Sequence, residues 1–202
     1  MDFNYLEGPL KNYLENVSAK LPCPGGGSVV ALVGCLSSAL VSMVANFTIG
    51  KKAYLKNEME IKQVLEENEI LKNNLATFIE KDSEIYEKIQ SLSKENPLLV
   101  QKYLKESANL HLNIAENTKK ILYYTGILLE KGNKNLISDV GISAVLSVST
   151  FYGAKINAEI NLKYIKDEKF INEVRNSFDL LEKEIKSIGE KIYNEVIKII
   201  KS

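Results

Sequence analysis

The chain has 202 residues, 26 basic and 26 acidic side chains, and a formal net charge of zero. That length suits one domain spanning 1–202 with a core of its own, and the balanced charge excludes the basic excess typical of nucleic-acid binders. Two cysteines (Cys23 and Cys35) and one histidine (His111) exclude a disulfide scaffold and leave too few ligands for a zinc site, so a reducing, cytoplasmic setting is expected.

Strand-like alternation is absent, and Lys, Glu, Leu, Ile and Asn dominate. This predicts an all-α chain. The opening "MDFNYLEGPL" is acidic and lacks the basic-then-apolar pattern of a secretory leader. A short helix is predicted from Asn4 to Val17. A proline–glycine loop, Leu21 to Gly27, then leads into a helix from about Ser28 to Lys52. Met59 to Leu92 reads as a third helix, with a sticky face of Ile61, Val64, Leu71, Leu75, Phe78, Ile79, Asp82, Tyr86 and Ile89. "SKENP" breaks it at Pro97. A fourth helix spans about Leu98 to Lys131, with Gly132 as its stop signal. A fifth covers about Leu136 to Lys163, and an amphipathic sixth covers Asp167 to Ile200. Short connections between long helices predict an up-and-down bundle of antiparallel neighbours.

Two helices lack a wet face. Leu21 to Gly50 carries no charge, and Asp139 is the lone charge between Lys134 and Lys155. The first run is long enough to span a bilayer, which takes ~20 apolar residues. Its Ser37, Ser38, Ser42, Asn46 and Thr48, and the charged amphipathic helices around it, argue for burial in protein and no membrane. A helix apolar all round is buried all round. One sheath of amphipathic helices cannot easily cover two of them, so a homodimer or larger homo-oligomer is expected. Its interface would use the small residues Gly141, Ser143, Ala144, Ser147, Gly153 and Ala154.

"PGGGS" is neither a Walker loop nor a dinucleotide fingerprint. It does stand before a helix N-terminus, with Ser28 as a plausible cap. Such an end attracts carboxylates and phosphates, and glycine lets a ligand approach the backbone. With Arg175 the sole arginine, other anion contacts fall to lysines acting as point charges. Lys51 and Lys52 close the same predicted helix, where their default role is to favour its dipole.

Asp82 falls in the core-facing row of its helix with Tyr86 four residues on. It reads either as a stripe-edge ion pair or as a poised carboxyl group. Asp139 is either an acid of the first helical turn or a buried carboxylate awaiting a partner. Thr150, Asn157 and Asn161 lie near its line, but Asp139 and Asn157 are ~27 Å apart along one helix and cannot share a small site within a subunit. Ser38, Ser42 and Asn46 form a ladder of the kind that usually joins packed helices. His111 carries no functional assignment.

Three ordered blocks, "PCPGGGSVVALVGCLSSALVSMVANFTIGKK", "DSEIYEKI" and "GNKNLISDVGISAVLSVSTFYGAKINAEINLKYIKDEKF", resemble the cyclodeaminase/cyclohydrolase family. This family comprises the C-terminal domain of formimidoyltransferase-cyclodeaminase and stand-alone bacterial methenyltetrahydrofolate cyclohydrolases. The resemblance covers nearly the whole chain. It matches Pro24, Gly25, Gly26, Gly27 and Ser28, then Thr48, Gly50, Lys51 and Lys52, then Asp82 and Tyr86, then Asn133, Ser138, Asp139, Asn157 and Asn161. His111 departs from it, standing where relatives tend to have proline, and is expected to touch none of those residues.

The resemblance implies an all-helical oligomer acting on a reduced folate. Its first reading is formimidoyltetrahydrofolate cyclodeaminase, with N10 attacking the formimidoyl carbon and ammonia leaving. The alternative is 5,10-methenyltetrahydrofolate cyclohydrolase in the same site, and the second alternative is a non-catalytic helical assembly protein. Asp82 and Asp139 would share proton transfer and cation stabilisation. Gly25–Ser28 with Lys51 and Lys52 would hold the anionic glutamate tail, and Asn46, Asn157 and Asn161 would bond the pterin. No metal and no cofactor beyond the folate is implied. A separate formimidoyltransferase is a candidate supplier of substrate.

Overall fold

The computed structural model describes residues 4–92 and 96–202, and Ser93–Glu95 of the predicted break lie outside them. Its helices are α1 Leu10–Ser18, α2 Gly26–Asn46, α3 Glu58–Leu92, α4 Pro97–Lys131, α5 Ile137–Leu162 and α6 Glu168–Lys201. Their starts follow local chemistry. Pro97 opens α4 while the Asn96 side chain accepts the Leu99 N–H, and the Asp167 side chain accepts the Phe170 N–H at the head of α6. Both are side-chain caps for donors that a helix start leaves unpaired.

From α2 to α6 each helix runs antiparallel to the one before it. The register can be read from the crossings. Ser38 of α2 bonds Asn68 of α3 at 3.0 Å, Lys131 of α4 pairs with Glu60 of α3 at 2.6 Å, and Lys155 of α5 pairs with Glu182 of α6 at 2.6 Å. The central helix α4 touches α2, α3, α5 and α6. Phe151 of α5 and Phe178 of α6 are fully buried with ring centroids 6.0 Å apart. The expected bundle is therefore the observed architecture.

Two boundaries move. The first helix begins at Leu10, after Pro9, and Tyr5 is held instead by the Glu80 carboxylate, which accepts its N–H at 2.8 Å. The second begins at Gly26 and ends at Asn46. Beyond it Gly50 takes a left-handed φ of 76°, which a helix cannot continue through and which glycine adopts without strain. Lys51 and Lys52 are therefore exposed on the connecting turn and do not neutralise the end of α2.

The expected interface is corrected as well. Gly141, Ser143, Ala144, Ser147 and Ala154 are buried inside the protomer. A Cβ on Gly141 would meet Val196 of α6, and one on Gly153 would meet Val30 of α2. The small residues serve close helix packing within one chain. What the bundle leaves uncovered is large and apolar, with Leu36 51% and Phe47 54% exposed on α2 and its end, and Ile142 50%, Ile156 70% and Ile160 53% exposed on α5. Gly26–Asn46 and Lys134–Leu162 are both long and apolar enough to cross a membrane, with mean hydropathy 2.1 and 1.4. In the bundle their inner faces pack on neighbouring helices, and their hydroxyls are paired there. Asn68 bonds Ser38 and Ser42, and Ser37 bonds Ser143 and Ser147.

Candidate active site

The glycine loop reaches α2 through a cis Cys23–Pro24 peptide bond. Gly25 is the N-cap and has no side chain to offer, so Ser28 is not the cap but sits inside the first turn. The missing acceptor comes from α3. Asp82 Oδ2 accepts the Ser28 N–H at 3.0 Å. A carboxylate at this end also meets the positive pole of the helix. Ser28 Oγ lies 3.0 Å from the Tyr13 hydroxyl of α1, which ties the first helix to the elbow.

Gly27 explains the close approach. A Cβ there would stand 2.1 Å from Asp82 Oδ1, so any side chain would expel the carboxylate. Gly26 is exposed, and a Cβ on it would meet only Asn157 Oδ1 of α5, at 3.5 Å. Asn157 donates its amide to Gly153 O at 3.0 Å and leaves that oxygen facing the elbow. Asn161 follows one turn later, donating to Asn157 O at 2.7 Å. On the far side, Nε2 of His111 on α4 stands 3.3 Å from Asp82 Oδ1. His111 is 1% exposed, whereas the Asp82 side chain keeps 16% of its surface open.

Groups of α2 and α4 thus meet on the Asp82 carboxylate, with Tyr13 of α1 and Asn157 of α5 beside the same elbow. Burial pushes up the ionisation of the Tyr13 phenol and the Cys23 thiol nearby, and the Asp82 charge adds to both. Both groups stay protonated and neutral at pH 7. A cleft of about 550 Å³ opens beside them between α1 and the loop, with Tyr13, Pro22 and Cys23 in its wall but not Asp82, Ser28, His111 or Asn157. Small-molecule pockets commonly span roughly 300–1,000 Å³.

The other predicted residues lie elsewhere. Tyr86 is 41% exposed, because past Asp82 the buried row of α3 shifts to Ser83 and Ile85. Asn46, Lys51, Lys52 and Asp139 gather at the opposite end of the bundle, since α2 is about 30 Å long. There Thr48 Oγ1 accepts the Asn133 N–H at 2.9 Å, and Asn133 donates to Phe47 O at 3.1 Å. The "TIGKK" and "GN" segments thus brace the turns. Asp139 is half-buried in the first turn of α5. Within one protomer the two acids do not meet.

A sequence model of the formiminotransferase-cyclodeaminase family matches residues 9–180. The chain belongs to this family. Among formiminotransferase-cyclodeaminase relatives, it is 32% identical to the methenyltetrahydrofolate cyclohydrolase of Methylorubrum extorquens, over 93% of this chain and 95% of that protein. It is 26% identical to the formimidoyltransferase-cyclodeaminase of Rattus norvegicus, over 90% of this chain but 36% of the longer rat protein. The crystal structure of formiminotetrahydrofolate cyclodeaminase from Thermotoga maritima superposes with a TM-score of 0.94 at 32% identity, covering 98% of this chain and all of that one.

Sequence reasoning missed His111 and Tyr13. It expected His111 to touch no site residue, and the imidazole in fact faces Asp82. The local signal for His111 was weak. It stands between Leu110 and Leu112 with nothing nearby to show which helix lies opposite. Tyr13 is the buried residue of a short amphipathic helix and reads as ordinary packing until Ser28 is found against it.

Proposed function

We propose that this chain is a folate one-carbon enzyme that hydrolyses the methenyl bridge of 5,10-methenyltetrahydrofolate. The resemblance alone puts ring closure with ammonia release first. Two observations favour hydrolysis over it. The curated cyclohydrolase matches at 32% over nearly both lengths, against 26% over 36% of the rat bifunctional protein. The Asp82 carboxylate also accepts a backbone N–H, a fixed acceptor held at the positive end of α2. An anion suits a reaction that begins from a cation and needs a base, and it suits less well one that must protonate departing ammonia.

The chemistry follows. Water attacks the bridging carbon of the cation and gives up a proton to Asp82, directly or through a second water. The bond from that carbon to N5 then breaks, N5 takes a proton, and the one-carbon unit remains on N10 as a formyl group. One water is consumed and one proton released. As the substrate's charge is lost along this path, a fixed carboxylate also holds the cation in place before attack.

The likeness to the Thermotoga cyclodeaminase, at 32% identity and TM-score 0.94, favours a second reading, ring closure in the same site. That reaction needs an acid as well as a base, and the second acid would be Asp139 of another protomer. The uncovered stripe of Leu36, Phe47, Ile142, Ile156 and Ile160 suits a two-fold partner. A two-fold axis across the middle of α2 and α5 exchanges their ends. The elbow of one protomer would then face Asn46, Lys51, Lys52 and Asp139 of its partner. Those lysines would take the glutamate tail, and Asn157 and Asn161 would bond the pterin.

One preparation decides. It is given 5,10-methenyltetrahydrofolate, followed by loss of absorbance, and 5-formimidoyltetrahydrofolate, followed by ammonia release. Faster loss of the methenyl cation than the spontaneous rate, with little ammonia, is expected. Ammonia release as the dominant reaction establishes the second reading, and neither reaction above background establishes a non-catalytic assembly role. Asp82→Asn should lower kcat by about 10²–10⁴-fold while the helical fold is retained by circular dichroism, because an amide oxygen still accepts the Ser28 N–H.

A further inference from the structure

His111 is the sole histidine of the chain. It is 1% exposed, its Nε2 stands 3.3 Å from Asp82 Oδ1, and its Nδ1 is buried with no hydrogen-bond partner among the described residues. These facts constrain the ring. A bare Nε2 lone pair facing a carboxylate oxygen would be repelled, so Nε2 carries a proton. A protonated Nδ1 would be a buried donor with nothing to bond, which costs more than leaving a weak acceptor empty. The imidazolium and the Nδ1–H tautomer both incur that cost, and the neutral Nε2–H tautomer does not.

We propose that His111 is a positioning residue of the Asp82 site, a neutral imidazole donating from Nε2 to the carboxylate. Asp82 then faces one donor at each oxygen, the Ser28 N–H on Oδ2 and the His111 N–H on Oδ1. Both donors hold its plane against Gly27, where only hydrogen leaves room for it. The other titratable groups around the carboxylate do not compete for this role near neutral pH. Tyr13 of α1 and Cys23 of the loop are held protonated by burial, and Lys81, beside Asp82 on α3, is paired with Glu106 of α4 at 3.7 Å.

The kinetic arm of the test rests on the proposed folate reaction, and the spectroscopic arm does not. Uniformly ¹⁵N-labelled protein contains a single imidazole, so its ring nitrogens are assigned without mutagenesis. At pH 7 the long-range proton–nitrogen spectrum should show the neutral Nε2–H pattern. An Nδ1–H tautomer or an imidazolium at that pH overturns the proposal. In the kinetic arm, His111→Leu removes the donor and His111→Gln keeps an N–H where Nε2 stood. Against 5,10-methenyltetrahydrofolate, His111→Leu should lower kcat by roughly tenfold with KM little changed, because the carboxylate is no longer held in its reacting position. His111→Gln should restore most of it. Equal behaviour of the two variants, both folded by circular dichroism, reduces His111 to packing and overturns the proposal. A wild-type chain inactive on both folates removes the functional reading, and the tautomer spectrum still decides the pair.

Discussion

Gly27→Ala tests the geometry at the centre of the site. The added methyl would stand 2.1, 2.4 and 2.7 Å from Oδ1, Cγ and Oδ2 of Asp82, so the carboxylate must swing out or the start of α2 must shift. Asp82 would lose the Ser28 N–H, a charged hydrogen bond worth about 1.5–3 kcal/mol. Water recovers part of this, since the carboxylate is already partly open. Alanine also gains about 0.5–1 kcal/mol over glycine within a helix. The net expectation is a loss of about 1–2 kcal/mol, or roughly 2–8 °C in melting temperature for a chain of this size. A double-mutant cycle followed by urea unfolding isolates the cause. With Asp82 already cut back to Ala, Gly27→Ala should cost nothing or stabilise. Gly26→Ala should not lower the melting temperature, because its Cβ would meet only the Asn157 amide, at 3.5 Å or beyond. If Gly27→Ala costs the same with and without the Asp82 carboxylate, the proposed clash is not what forbids a side chain there.

Asn68→Leu should destabilise by about 2–4 kcal/mol in urea unfolding, since Asn68 is fully buried and bonds Ser38 and Ser42, whose polar groups would be left unpaired; a loss under 0.5 kcal/mol refutes that account. Alkaline stability should fall. Burial pushes the Cys35 thiol up to about 12 and raises Cys23, Tyr5 and Tyr13 as well. A group with a raised folded-state value contributes stability below its unfolded value and loses it as pH climbs toward the folded one, so the urea midpoint should drop between about pH 9 and pH 12. A flat profile there contradicts the burial argument. Ile156→Glu should give a monomer by light scattering and, if partner residues complete the site, should also lower turnover with 5,10-methenyltetrahydrofolate. A dimer that survives the charge rules out the α5 face as its interface.

Much was legible from residues alone. The 3.6-residue spacing in α3 and α6, the break at Pro97, and the absence of strand patterning all specify helices and their limits. Composition marked α2 and α5 as the most apolar helices, although each keeps one face uncovered in the bundle, and the row containing Leu75 and Ile79 turned Asp82 inward. These are local properties, because a helix face and a helix end are determined by residues within a few turns of each other. Which face meets which neighbour, and in what register, is not local. Ser28 and Asp82 are 54 positions apart, and only the antiparallel docking of α3 on α2 brings the carboxylate onto Gly27 and the Ser28 N–H. The same docking sets His111 against Asp82, sends Asp139 to the far end of the bundle, and uses up the small residues of α5 inside the protomer. The sequence alone marked the inward acid and the glycine turn as separate features. Tertiary structure made them one site, because helix packing assigns partners through shape and buried polar pairing summed over whole helices, and no short stretch of chain encodes that sum.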